Sequence, residues 1–258
     1  MKKIVALLLI AATLCFCFSS CAKETIVVGY TIYAPMNYLD ENGDLIGFDT
    51  ELAKAVFTEL GYNVFFKEII WEQKYTELEA GTISCIWNGF TSNGEDEGKP
   101  RTDYVDFSYN YMINKQVVVA KSDSGIASAE DLAGKTGSAE KGSIGYDYLK
   151  SFEGALVKDN TSQLSALQDM KMGGCDFVVL DEQLAKSYVG KGEYTDYTII
   201  EVLSSDIEYY AIGFKKGSDL TAKVNATLEK FAENGKLAEI ATKYAVQNAI
   251  VTDYSDQK

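Results

Sequence analysis

The sequence predicts an α/β fold divided into two related lobes. Strand-like and helix-like runs alternate in the first half and again in the second, and two further strand-like runs stand where the chain would pass between the halves. A length of 258 residues with 47% apolar composition is enough for two cores of ordinary size.

The first element is an address rather than a part of the fold. Lys2 and Lys3 precede the apolar run Ile4 to Phe18, and Ser19 and Ser20 precede Cys21. This is the layout of a secretory signal over residues 1–20, and its apolar run is shorter than the ~20 residues a membrane-crossing helix requires. Thr25 to Gly29 then reads as a strand. Asp49 is placed to cap a helix that runs to Leu60, with Leu52, Val56 and Leu60 on one face and Gly61 as its stop. Val64 to Phe66 is the next strand, Glu72 to Ala80 a helix ended by Gly81, and Ile83 to Trp87 a strand leading into a polar loop at Asn88.

The same order returns in the second half. Leu164, Leu167 and Met170 mark a helix stopped by Gly173 and Gly174, and the strand Asp176 to Leu180 ends at Asp181. Near the end, Leu220, Val224, Leu228 and Phe231 form one helical stripe, Asn234-Gly235 breaks it, and Leu237, Ile240 and Tyr244 form another. The runs Gln116 to Ala120 and Tyr209 to Phe214 are the candidate crossovers. They divide the chain into lobe 1, residues 24–115 plus 209–258, and lobe 2, residues 116–208, with freedom for hinge closure.

Composition removes several classes of function. Acidic side chains number 38 against 24 basic, a formal charge of −14, so nucleic acid is not an expected partner and anionic membrane would repel the folded part. With no histidine in the chain, serine and cysteine triads that need one are excluded, as are histidine-bearing metal sites; no metal, cofactor or catalytic residue is expected. Cys15 and Cys17 fall in the signal. Cys85 and Cys175 stand in apolar runs of different halves and read as two buried free thiols.

Ligands of open α/β sheets gather beyond the carboxyl ends of the strands, which singles out Asn88-Gly89-Phe90-Thr91 in one half and Asp181 in the other. Arg101 is the only arginine, and a guanidinium is suited to holding a carboxylate through two parallel hydrogen bonds. Asp181 could complement it by facing an ammonium group, or could cap the segment Glu182 to Tyr188.

The order of these motifs carries a resemblance. Tyr33-Ala34-Pro35-Met36, Gly47-Phe48-Asp49-Thr50-Glu51-Leu52, Asn88-Gly89-Phe90-Thr91, Arg101 six residues before Phe107-Ser108, and Val178-Val179-Leu180-Asp181 resemble the family 3 bacterial solute-binding proteins. These are the amino-acid receptors of ABC importers. The resemblance implies a two-lobed periplasmic-binding-protein-like fold of type II with two crossover strands as its hinge, and no enzymatic activity. It implies that Arg101 holds the ligand carboxylate, that Asp181 serves its ammonium, that the Thr91 hydroxyl serves the ammonium or the carboxylate, and that Asn88 and Gly89 offer mainly backbone groups. Tyr33 and Trp71 would sandwich the ligand side chain, and Ser143, Ile144 and Gly145, opening a helix, would add amide contacts.

Specificity rests on two weaker positions. Tyr30 stands where members that bind cationic side chains often carry an acid, which favours a neutral polar amino acid; Glu140, placed at the rim of the second lobe, keeps basic ones open. Phe18-Ser19-Ser20-Cys21 resembles a lipobox, implying lipidation at Cys21 and a monomeric receptor exported across the cytoplasmic membrane, anchored to it and docking on ABC permease subunits. Two alternatives share the fold: a dehydratase of arogenate or prephenate with Glu140 as general acid, and a surface protein that senses a ligand without transport. The acidic stretch Glu95, Asp96 and Glu97, between Thr91 and Arg101, has no path that the sequence specifies.

Overall fold

A computed structural model describes residues 23–257. The signal and Cys21 lie outside the described residues. Two sheets organise the chain, and the site lies where they meet. In the first, the order is Asn63–Glu68, Thr25–Tyr30, Cys85–Thr91, Glu208–Phe214 and Asp106–Phe107, with Met112–Asn114 also paired to Glu208–Phe214. The first three strands are parallel, and Glu208–Phe214 runs antiparallel to its neighbours. The second sheet has the order Leu156–Asn160, Thr136–Glu140, Phe177–Asp181, Gln116–Lys121 and Tyr197–Ile200. Its first three strands are again parallel and its last two antiparallel to what they join.

The central strands explain why both halves fold. Cys85–Thr91 and Phe177–Asp181 are buried along their whole lengths, as expected for parallel strands covered by helices on both faces. On the first sheet the helix Phe48–Glu59 buries Leu52, Ala53, Val56 and Phe57, and Phe57 meets Trp87 edge-on at 5.9 Å. The helices Leu220–Glu233 and Lys236–Lys243 close over it with Val224, Leu228, Phe231, Leu237 and Ile240. Gly235, at φ 81°, makes the break between them, a left-handed conformation that glycine adopts without strain.

The chain leaves the first sheet after Met112–Asn114, enters the second at Gln116, and returns through Glu201–Leu203 to Glu208–Phe214. Asn114 and Glu208, one on each passage, are register partners. The two connections therefore lie side by side. This is the two-lobed α/β architecture the sequence predicts.

Local differences follow from side-chain partners that lie far away in sequence. Strand character continues through Asn88 to Thr91, although Asn88 and Gly89 read as a loop. Asn88 Nδ2 donates to the Thr31 carbonyl and to Asn37 Oδ1 at 2.9 and 2.7 Å, so its polarity is fully paired inside. Gly89 has φ 56°, beside the register shift between Ala211 and Gly213 on the neighbouring strand. Asp49 is no cap: it lies inside its helix, fully buried, and Gly47 occupies the N-cap. Cys175 is buried but precedes its strand, and both Cys85 and Cys175 are free. Among the described residues no helix is long and apolar enough to cross a membrane.

Candidate functional site

Between the sheets, at the carboxyl ends of Cys85–Thr91, Thr136–Glu140 and Phe177–Asp181, lies a small polar cavity. Trp71, Asn88, Gly89, Thr91 and Arg101 line it from one side, Glu140, Ser143, Ile144, Gln163 and Asp181 from the other, and Gln116 stands at the crossover. Nine of the sequence-selected residues therefore meet in one place. Tyr30, Tyr33 and Gly145 do not line it.

Tyr33 lies underneath. Its hydroxyl shares a 2.7 Å hydrogen bond with that of Tyr210, and a Cβ added to Gly89 would come within 2.7 Å of its ring. The ring supports the floor rather than a wall. Tyr30 packs edge-on against Phe66 at 6.2 Å, and Gly145 packs where a Cβ would stand 2.7 Å from Gln116 Oε1. The floor is fixed from below by Asp49, whose Oδ2 accepts from the Gly89 amide at 2.8 Å and the Tyr111 hydroxyl at 3.0 Å. Burial pushes the Asp49 carboxyl up to about 7 against these two donors.

Asp181 is held by three amide side chains. Asn114 Nδ2 and Gln116 Nε2 donate to Oδ1 at 2.7 and 2.5 Å, and Gln163 Nε2 donates to Oδ2 at 2.5 Å. Gln163 Oε1 also accepts from the Asp181 amide at 2.8 Å. Asp181 occupies an N-cap position, yet its side chain makes no capping bond; it is turned to the cavity instead. The same Asn114 and Gln116 nitrogens donate to Glu208 Oε2 at 3.3 and 3.1 Å, and the Thr91 hydroxyl donates to it at 2.9 Å. Thr91 thus spends its hydroxyl on a neighbour. Burial raises both acids, Glu208 to about 7, because desolvation, joined at Glu208 by repulsion from Asp181, outweighs the shared donors.

Glu140 stands deeper than the rim expected for it, only 3% exposed, with Oε1 buried and without a hydrogen-bond partner among the described residues. It ends the strand Thr136–Glu140, and that strand's register carries it inward beside Asp181. Desolvation first and Asp181 second push its carboxyl up to about 8, opposed by the Lys74 ammonium. On the opposite side Arg101 is 1% exposed and lies over Phe90, 5.0 Å from the ring centre. Ser143 caps the helix Ile144–Lys150 through a 3.1 Å bond from the Tyr146 amide.

Sequence reasoning missed Gln116, Gln163, Asn114 and Glu208, which hold Asp181 or share its donors, and Lys74. No local pattern marks them. Lys74 is 3% exposed, lies 4.6 Å from the centre of the Tyr75 ring, and donates to the Gly142 carbonyl of the other lobe at 3.3 Å. Burial first and Arg101 second lower its ammonium to about 8.

A polar cavity at the paired crossovers of two α/β lobes defines a solute receptor, in which one small ligand touches both lobes. The chain belongs to the bacterial extracellular solute-binding proteins, family 3, which match residues 26–247. That membership places its work outside the cytoplasm. It is similar to the arginine-binding extracellular protein ArtP of Bacillus subtilis, 29% identical over 92% of this chain and 96% of the relative. It is also 31% identical to the L-cystine-binding protein TcyA of the same organism, over 82% of this chain and 77% of the relative. Among solved structures, an ancestral arginine-binding protein bound to arginine superposes with a TM-score of 0.78 at 33% identity, covering 86% of this chain and 98% of that one.

Proposed function

We propose that this protein is the receptor of an ABC importer, that it encloses an L-amino acid between lobes 24–115/209–258 and 116–208, and that the preferred ligand carries a cationic side chain. The observation that carries the proposal is the charge layout of the cavity. One buried guanidinium, Arg101, faces two buried carboxyl groups, Asp181 and Glu140, across the cavity, and Glu208 lies behind Asp181, sharing its amide donors. An α-carboxylate suits Arg101 and an α-ammonium suits Asp181, and these groups come from different lobes, so the ligand favours the closed form. Glu140 Oε1, which has no hydrogen-bond partner among the described residues, is then free to receive a second cation on the ligand. This replaces the neutral polar preference drawn from Tyr30, which does not line the cavity. The arginine-binding relatives support the same class. Trp71, 5% exposed, offers a flat apolar wall to the ligand's carbon chain, while backbone groups of Asn88 and Gly89 and the Ile144 end of its helix complete the lining.

We further propose that Cys21 carries lipid after removal of residues 1–20, which holds the receptor beside its permease. Both features rest on the segment Lys2 to Cys21.

A thermal-shift panel with the twenty amino acids and cystine, on protein stripped of bound ligand by partial unfolding, tests the assignment. A ligand at ~100 times its Kd adds about 2.7 kcal/mol to the folded state. Arginine or lysine should give the largest rise; no rise with any amino acid refutes the proposal. One second reading has an observation in its favour: Glu140, buried and protonated at neutral pH, is also suited to be the general acid of an arogenate or prephenate dehydratase. Formation of phenylalanine or phenylpyruvate, followed by ultraviolet absorbance, would establish that reading.

A further inference from the structure

We infer that Asp96 is the positioning residue for the carboxylate grip of Arg101, so that the acidic hairpin preceding Arg101 helps to select the ligand; this rests on the amino-acid reading above. The stretch whose path the sequence left open folds as two short paired strands, Glu95–Asp96 and Lys99–Pro100, turning through Glu97 and Gly98 at φ 54° and 73°. Its base is tied by the Arg101 amide donating to the Gly94 carbonyl at 3.0 Å.

The geometry around the guanidinium separates what is used from what is free. Arg101 Nε and Nη2 both donate to Asp96 Oδ1, at 3.2 and 3.0 Å, and Nη1 donates to the Thr91 carbonyl at 3.2 Å. A guanidinium has five N–H groups, so two remain, one on each terminal nitrogen, which is the pair that a carboxylate receives through two parallel bonds. Arg101 lines the inner cavity and Asp96 does not; Asp96 borders a wider groove on the outer side, with Lys74 and Tyr75. The hairpin carboxylate therefore holds the guanidinium from behind.

The same carboxylate meets a second buried cation. Asp96 Oδ2 lies 3.2 Å from Lys74 Nζ and accepts from the Tyr75 hydroxyl at 2.5 Å. Arg101 and Lys74 would repel each other without an anion between them, and the Nε edge of the guanidinium would be left unpaired in a buried place. Its N–H groups would then turn to seek other acceptors, and the ligand carboxylate would meet a mobile fork. Glu95 and Glu97, on either side in the same hairpin, are exposed and make no ion pair among the described residues.

The test compares ligands that differ only in the group Arg101 would hold. Calorimetric titration of the purified protein with its best amino acid from the panel and with the matching carboxamide, beginning with L-arginine and L-argininamide, gives an acid-to-amide affinity ratio. In Asp96→Asn this ratio should fall by about tenfold, the loss falling on the amino acid and sparing the amide. Glu97→Gln should leave it unchanged. Tyr75→Phe, which removes one donor that orients Asp96 without altering charge, should narrow the ratio by about two- to threefold, and serves if Asp96→Asn does not fold. Equal losses for acid and amide, or an unchanged ratio in a folded variant, overturn the inference alone. Failure of every amino acid to bind the wild type overturns the receptor reading and this inference with it.

Discussion

Replacing Glu140 with glutamine should stabilise the ligand-free protein while weakening its hold on a cationic ligand. Glu140 is raised from 4.5 to about 8 by burial and by Asp181. The sign follows from linkage: an acid raised on folding gives its full contribution below its unfolded value and loses it as pH rises through the folded value. Each tenfold change in an ionisation constant is about 1.4 kcal/mol. Between pH 5.5 and 8 the wild type should therefore lose about 3 kcal/mol at this residue that Glu140→Gln does not lose. Asp181 and Glu208 titrate in both proteins, so the difference between wild type and variant reports Glu140 together with its repulsion from Asp181. Urea unfolding of both, ligand-free, across this pH range measures it. A difference that stays constant with pH would refute the burial argument. With arginine present the variant's lead should shrink by about 2 kcal/mol, because Glu140→Gln removes the side-chain partner and weakens binding by that amount.

Arg101→Met should weaken binding of any amino acid by roughly 2 to 4 kcal/mol, since the ligand carboxylate would be buried without its partner; calorimetric titration checks it. Binding of a cationic amino acid at pH 7 should release protons from Glu140, Glu208 and Asp181, all raised by burial, and titrations in buffers of different ionisation heat should therefore disagree in apparent enthalpy. Gly89→Ala should lose about 2 kcal/mol in urea unfolding, because it needs φ 56° and meets the Tyr33 ring at 2.7 Å.

Local pattern was sufficient wherever one residue type at one spacing has a single physical use. The stripes Leu220-Val224-Leu228 and Leu237-Ile240 are buried as their periodicity requires, and Gly235 breaks the helix where a left-handed residue is needed. The lone arginine was conspicuous because a bidentate donor is scarce in a lysine-rich chain. What could not be read was depth. Thr136–Glu140 has no apolar alternation, so nothing in Thr-Gly-Ser-Ala-Glu distinguishes a buried Glu140 from a surface one; its burial is set by pairing with Leu156–Asn160 and Phe177–Asp181. Gln163 and Asp181 are 18 residues apart, and Thr91 and Glu208 117, so each contact exists only after the sheets are assembled. The aromatic Tyr33 shows the converse: its motif is right, but Gly89 stands over it and the ring supports the floor.

The most direct measurement is calorimetric titration of ligand-free protein at pH 7.5 with L-arginine, L-glutamine and L-glutamate in parallel. Arg101 set against Asp181 and Glu140 across the cavity predicts tight binding of arginine, weaker binding of glutamine and none of glutamate. Equal or tighter binding of glutamate would contradict the charge layout, and with it the account of what this cavity selects.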